Sequence, residues 1–410
     1  MVTHSAAQHV DEARLWQRHM RMACHGATAA GGVNRQALSA EDAAAQRELV
    51  AWGDALGLKA STDAAGNLFL RLAGSDADAA PVMTGSHLDS QPTGGRFDGV
   101  YGVLAGFEAI EAILAAGIRP RRPIDIVAWM NEEGSRFAPG MMGSEAFAGV
   151  SALDHMLTVR DASGVSVAEA LTKMPKFALR PLGGPVHAYI EAHIEQGPIL
   201  ERLGVPLGVV TGIQGKRTFR VTVRGEAAHA GTTPRAERRD ALLAACGMVK
   251  ALERELCGAD ENVMFTVGRL DVTPNAPSVI PAQVAFSIDL RHCDAVLLGR
   301  LGDSVSSICE GQRARCELTV TELINAPPLD FPPPVRLLIA QCARELCIDA
   351  IDIYSAAGHD ARHLHAVCPA GMIFVPCRDG MSHNEAESAD PAHLAAGARV
   401  LAECLARLAA

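Results

Sequence analysis

Apolar and polar positions along this chain fall into helical and strand rhythms that alternate. Residues 41–56 repeat apolar positions at helical spacing among good helix formers, and Gly57 ends the run. Residues 68–72 (LFLRL) alternate and predict a short strand. Pro81-Val82-Met83-Thr84 predicts a buried strand that runs into Gly85-Ser86-His87. A helix is predicted over 100–115, just after Asp98-Gly99. Residues 123–130 predict another buried strand, ending at Asn131-Glu132-Glu133-Gly134. Residues 187–193 predict a further one, followed by Glu195-Gln196-Gly197. Strands alternating with helices predict an α/β sheet, with chemistry expected at strand ends.

The pattern changes near Gly212. Residues 218–223 alternate, 240–256 predict a helix, and 263–270, 284–290 and 318–323 predict strands. The order β-α-β-β-α-β is that of a ferredoxin-like split. A smaller α+β domain inserted over 213–328 is therefore expected, dividing a larger domain into 1–212 and 329–410. Pro327-Pro328 and Pro332-Pro333-Pro334 punctuate its exit. Helix 335–346, strand 371–375 and helix 391–408 complete the larger domain.

Composition narrows the class. A length of 410 residues favours two domains over one core. Hydrophobic residues at 49% and charged residues at 20% are those of a globular chain. The net charge of −10, with no Lys/Arg block, argues against nucleic acid as partner. Eleven scattered Cys without a C-x-x-C pair predict a reduced chain and no disulfide framework. The opening stretch MVTHSAAQHVDEARLW carries acids where a secretion signal needs an apolar run. No apolar stretch is long enough to span a bilayer, and a cytoplasmic location is expected.

Five segments set His and carboxylates at predicted strand ends or in loops. They are His87-Leu88-Asp89, Phe97-Asp98-Gly99, Asn131-Glu132-Glu133, His193-Ile194-Glu195-Gln196 and Ser382-His383-Asn384-Glu385. A lone His after a strand is more often structural, and adjacent acids are usually solvated surface. The set carries the information. Water is a poor nucleophile at neutral pH, and two divalent ions can bind both reacting oxygens and acidify it. Two such ions repel and need an anionic bridge, a role that suits Asp98. Imidazole and carboxylate donors fit Zn²⁺ and also Mn²⁺, Co²⁺ or Ni²⁺, and no Cys lies in these segments. Of the adjacent Glu132 and Glu133, one can ligate while the other serves as base.

Thr84-Gly85-Ser86-His87-Leu88-Asp89-Ser90, Gly94-Gly95-Arg96-Phe97-Asp98-Gly99, Asn131-Glu132-Glu133-Gly134-Ser135-Arg136-Phe137 and His193-Ile194-Glu195-Gln196-Gly197-Pro198 resemble the hydantoinase/carbamoylase branch of the M20 metallopeptidase clan. Ala228-His229-Ala230-Gly231-Thr232-Thr233-Pro234, Gly358-His359-Asp360-Ala361 and Met381-Ser382-His383-Asn384-Glu385 continue the resemblance in order, over nearly the whole chain. It implies a mixed-sheet, zinc-peptidase-like catalytic domain with an inserted ferredoxin-like lid and dimerisation domain. It implies that His87, Asp98 and His193 hold one metal, and that Asp98, Glu133 and His383 hold a second. Glu132 would then be general base and acid, and Asp89 would hydrogen-bond His87 and fix its tautomer. His229 would stabilise an oxyanion in the partner subunit of a homodimer.

Gln196, Asn275, Arg291 and Gly358 match substrate-contacting positions, with Arg291 on a substrate carboxylate. Asn275 also reads as a turn residue, Arg291 as an ion-pair partner, and His359-Asp360 as a packed structural pair. Peptidase relatives usually carry an acid where this chain has His193. The implied reaction is hydrolysis of the carbamoyl C–N bond of an N-carbamoyl-L-amino acid. Allantoate and β-ureidopropionate are alternatives on the same template, and the loop over 89–98 looks more like the carbamoylase and ureidopropionase type. A dipeptidase and a non-catalytic binding protein are the rival classes, and the presence of Glu132 speaks against the second.

Overall fold

The computed structural model describes residues 5–410; the first four positions, part of the opening stretch and of the domain expected from residue 1, lie outside them. The chain divides into two compact units, one of residues up to Thr211 together with Phe331–Ala410, the other Gly212–Asp330.

The first unit is built on a mixed sheet. Its strands are β1 (Lys59–Thr62), β2 (Leu68–Leu72), β3 (Val82–His87), β4 (Ile124–Trp129), β5 (Ala178–Leu179), β6 (Ala188–Ile194) and β7 (Leu207–Ile213), with two more, β16 and β17, from the end of the chain. At its heart β6 and β4 pair with β3 in parallel, and every residue of these three strands is buried. Near-continuous apolar runs such as IDIVAW suit strands covered on both faces. The helix Val100–Ala115 covers one of those faces and is buried at nearly every position. It lies so close that a Cβ on Gly102 would sit 2.4 Å from the Ala192 carbonyl oxygen. The helix Pro391–Leu408 packs against it, opened by an Asp390 carboxylate that accepts from the Ala392 N–H and by proline at its first position.

The second unit holds β8 (Gly215–Arg224), β9 (Ala228–His229), β10 (Met264–Thr266), β11 (Leu270–Thr273), β12 (Val279–Ile280), β13 (Gln283–His292), β14 (Glu317–Ala326) and β15 (Leu329–Asp330). Its main sheet runs β10-β13-β8-β14 with β11 also on β13, and all its pairings are antiparallel. The helices Ala241–Cys257 and Ala295–Glu310 pack on it, each capped at its start by an aspartate, Asp240 and Asp294. This is the split β-α-β order. Along β13 burial alternates strictly: Val284, Phe286, Ile288 and Leu290 are buried, and Gln283, Ala285, Ser287, Asp289 and Arg291 are only half-buried. Short β15 pairs with Ile213 and Gly212, and β9 pairs with β12.

The strand expected over 263–270 is two strands. Between them the register against β13 slips by one residue around Gly268, a β-bulge. Back in the first unit, β16 (Ala350–Ser355) pairs with β7, and β17 (Ala370–Val375) lies between β6, to which it is parallel, and β7. Neither β7 nor β16 is announced by the sequence pattern. LGVVTGI and AIDIYS are short apolar runs without clean alternation. Among the described residues no helix is long and apolar enough to cross a membrane, and all eleven Cys are free.

Candidate metal and active site

Four parallel strands, in the order β17-β6-β3-β4, bring their carboxyl ends to one edge. His87 is the last residue of β3, and His193 stands one residue before the end of β6. Beyond β4, Asn131 takes a left-handed φ of 55° and turns the chain into Glu132 and Glu133. Left-handed backbone recurs at Gln196 (φ 57°) and at His383 itself (φ 54°). Each such residue costs about 1–3 kcal/mol, and their gathering at one edge is typical of functional sites.

Asp98 is the centre of the arrangement. Its Oδ1 lies 3.2 Å from His193 Nε2 and 3.9 Å from His87 Nε2, and its Oδ2 lies 3.2 Å from His383 Nε2. Glu133 Oε2 is 3.4 Å from the same His383 nitrogen. His87–Asp98–His193 and Asp98–Glu133–His383 are thus two groups that share one carboxylate, each able to hold an ion. Glu132 Oε2 approaches His87 Nε2 to 3.4 Å.

The ring orientations are set by main chain. His87 Nδ1 donates to the Asp89 carbonyl and His193 Nδ1 to the Ile194 carbonyl, each at 2.9 Å. A carbonyl can only accept, so both rings present Nε2 to the site. The expected bond from the Asp89 side chain to His87 is not formed, for Oδ1 stands 3.7 Å from Nδ1. The Asp89 carboxylate instead accepts the backbone N–H groups of Glu132 and Glu133, both at 3.2 Å, and so anchors the turn that carries them. Gly99 has φ 66°, and a Cβ there would lie 2.3 Å from His87 Nε2.

The electrostatics call for cations. Burial alone would raise the Asp98 carboxyl, but hydrogen bonds with His193 and His383 hold it well below its ordinary value. Burial pushes Glu133 up to about 8, helped by Asp98. Glu132 is raised well above its usual range by burial and then by the carboxylates of Asp360, Glu133, Asp89 and Asp98. His87 is pushed down to about 4 by burial, which keeps its ring neutral and able to donate a lone pair. Asp98, in turn, raises His193 against the effect of burial and lifts His383 to about 9, so protons now sit between acid and imidazole where a divalent ion would replace them. The residues present fit such a centre.

A third group, Glu191–His193–His359, shares His193 and is equally buried. Glu191 already accepts from Ser86 Oγ (2.7 Å) and the Ala361 N–H (2.9 Å), and the Tyr189 hydroxyl, which donates to the Gly85 carbonyl at 3.0 Å, stands 3.2 Å from it. His359 Nε2 meets Ser355 Oγ at 3.0 Å, and its ring packs edge-on against His193. The cluster backs the His193 ring.

The remaining expected residues divide between the units. Gln196 Nε2 donates to Asp98 Oδ2 and to Ser382 Oγ, both at 3.0 Å, so it touches the shared carboxylate directly. Gly358 is exposed, and a Cβ there would meet nothing closer than Met141 at 3.5 Å; the fold itself does not demand glycine. His229, Asn275 and Arg291 belong to the second unit. His229 is exposed, and its Nδ1 accepts the N–H groups of Gly231 (3.0 Å) and Thr232 (3.1 Å), which leaves the ring proton on Nε2. Asn275 is exposed with φ 55°. Arg291 forks onto Asp289, two residues along the same face of β13, through Nε at 2.7 Å and Nη2 at 3.2 Å.

Sequence reasoning overlooked four side chains. Gln91 Nε2 donates to Glu133 Oε2 at 2.8 Å, and its backbone N–H donates to Oε1 at 3.2 Å. Arg35 is fully buried and donates to the carbonyl of Leu88 at 2.6 Å, bracing the loop after His87. Glu191 and Glu387 are buried acids beside the ligands. Glu191 was detectable as a lone acid inside the apolar run AYIEAHI; the other three carry no local signal.

The profile of Peptidase family M20/M25/M40 matches residues 83–407, and the chain belongs to that family. Within it, the chain is 38% identical over 397 residues to an N-carbamoyl-L-amino-acid amidohydrolase of Rhizobium meliloti, covering 96% of this chain and 95% of the relative. It is 34% identical to the allantoate amidohydrolase of Escherichia coli (strain K12), covering 100% and 99%. The crystal structure of an amidase of the hydantoinase/carbamoylase family from Burkholderia multivorans superposes with a TM-score of 0.87 at 44% identity, over 98% of each chain.

Gly99→Ala is expected to displace the His87 ring and lower the zinc retained per chain after dialysis, with affinity falling about tenfold or more. Gly117→Ala, at a similar φ of 70° but in open space, is the control and should retain wild-type zinc. Equal zinc contents in the two variants would remove the packing argument.

Proposed function

We propose that this chain hydrolyses the carbamoyl C–N bond of an N-carbamoyl-L-amino acid, yielding ammonia, carbon dioxide and the free amino acid. The observation that carries the reading is the shared Asp98, with one oxygen toward His87 and His193 and the other toward His383. Two divalent ions, proposed as Zn²⁺ with Mn²⁺, Co²⁺ or Ni²⁺ as alternatives, would be held by His87, Asp98 and His193 and by Asp98, Glu133 and His383. When bound, they would polarise the carbamoyl carbonyl and acidify water.

Glu132 is the proposed base. Glu133 faces His383 and is held by Gln91, whereas the Glu132 carboxylate reaches His87 alone among the proposed ligands. It takes the proton of the attacking water and returns it to the leaving nitrogen. Gln196 and Gly358 are proposed substrate contacts beside the ligands, and Asn275 and Arg291 the contacts from the second unit. A planar Arg fork suits the carboxylate that every candidate substrate carries. His229, with its proton on an exposed Nε2, has the tautomer of an oxyanion donor. We assign it to the site of a second copy in a homodimer, with the second unit as lid and dimerisation domain. The curated relative from Rhizobium meliloti favours an N-carbamoyl-L-amino acid over allantoate, as does the loop over 89–98. A cytoplasmic setting, consistent with eleven free Cys, is part of the proposal.

An ammonia-release screen tests the substrate. L-configured N-carbamoyl amino acids, their D forms, β-ureidopropionate, allantoate and a dipeptide are compared at matched Zn²⁺ or Mn²⁺. The largest kcat/KM is expected for an L-carbamoyl amino acid; a larger value for allantoate would replace the substrate, and dipeptide cleavage without ammonia release the reaction class. Glu132→Gln should keep its metal content while turnover falls about 10²–10⁴-fold. Loss of an ion in that variant would exchange the roles of Glu132 and Glu133. Mixing His229→Ala with Glu132→Ala protein should restore part of the activity lost in each. No recovery despite demonstrated subunit exchange would place His229 in its own chain's site.

A further inference from the structure

The two halves of the proposed centre are built differently. His87 and His193 sit on sheet strands and are 1% exposed, so the sheet itself orients them. The His383 side chain is 51% exposed, on a loop that takes a left-handed φ at that residue. Some other group must hold this loop against the one that carries Asp98, which is 285 positions earlier in the chain.

Glu387 does so. Its Oε1 accepts the backbone N–H groups of Phe97 (2.9 Å) and Asp98 (3.1 Å), and its Oε2 accepts the Ser382 hydroxyl at 2.9 Å. Ser382 directly precedes His383. Its hydroxyl also stands 3.3 Å from Asp98 Oδ2, but it has one proton, and the shorter distance to Glu387 takes it. The same hydroxyl accepts from Gln196 Nε2. Glu387 is 1% exposed, and the chain makes room for it: a Cβ on Gly95 would lie 2.0 Å from its carboxyl group. A charged carboxylate taken this far from water is costly unless its hydrogen bonds are specific. Here all three go to the two loops.

We propose that Glu387 is a positioning residue that sets the ion affinity of the Asp98–Glu133–His383 half of the site by locking the Asp98 loop to the His383 loop. The proposal rests on the metal reading given above. Replacement of ligand-supporting residues typically costs about 10–100-fold in metal affinity. In Glu387→Gln the single carbonyl oxygen can keep the Phe97 and Asp98 N–H groups. Its NH₂ then faces a hydroxyl that already accepts from Gln196, and the link to the His383 loop weakens.

The test is calorimetric titration of metal-free full-length protein with Zn²⁺ and, separately, Mn²⁺. Wild type should show a tight event and a weaker one. Glu387→Gln should weaken the weaker event about tenfold or more, with the tight event unchanged within error. Ser382→Ala, which removes only the hydroxyl, should act in the same direction, and it reads the link even if Glu387→Gln fails to fold. Equal weakening of both events alongside a lower unfolding midpoint would reduce Glu387 to a structural role and overturn the proposal. So would titrations identical to wild type. Wild-type protein that takes up a single ion would overturn the proposal but leave a one-ion hydrolase standing; wild-type protein that takes up none would overturn the metal reading, and this proposal with it.

Discussion

A carboxylate that must offer one oxygen to each of two imidazole sets imposes most of the architecture around it. Asp98 can do so only if His87, His193 and His383 arrive from three directions at fixed distances. Parallel strands ending along one edge supply two of those directions with little freedom to drift. The remaining imidazole comes from the far end of the chain, which is why the closing segment must fold back into the first unit. Charge explains the rest of the surroundings. The carboxyls of Glu132, Glu133, Asp360 and Glu387 rise through burial and then through the acids near them, and that of Asp89 rises through burial. Such a density of acids has no purely structural rationale, since apolar residues of similar volume would pack at lower cost.

Support around the ligands is largely a matter of main chain and of polar side chains from unexpected places. Backbone carbonyls choose the histidine tautomers. The Asp89 carboxylate, expected to do that, holds the turn bearing the paired glutamates. Buried Arg35 ties the segment following His87, through the Leu88 carbonyl, to the carbonyls of Met22 and His25. The geometry of the proposed ligands therefore rests on bonds from main chain and from side chains, such as Gln91 and Gln196, that are not themselves among them.

The parts of this picture legible in the sequence are those with a local signature. Helices 100–115 and 391–408 and strand 68–72 are found where the hydrophobic rhythm put them, because periodicity is a local property. His87, Asp98, Glu132, Glu133, His193 and His383 were recognisable because each follows a buried run or flanks a glycine, in segments whose order resembles a known family. Gln91, Arg35 and Glu387 were not. Each has a partner far along the chain, Glu133 at 42 positions from Gln91, Leu88 at 53 from Arg35 and Asp98 at 289 from Glu387, and a polar residue in a loop gives no hint of what it will reach. The strands β7 and β16 escaped for a related reason: their places in the sheet are decided by neighbours from elsewhere in the chain.

The strict alternation along β13 has a consequence for how such a chain can diversify. Residues that hold the second unit together and residues left half-buried occupy opposite sides of one ribbon, in a repeat of two. Exchanges at Gln283, Ala285, Ser287 or Arg291 leave the apolar row of Val284, Phe286, Ile288 and Leu290 untouched. Selection can thus vary the half-buried row of this ribbon at little risk to folding.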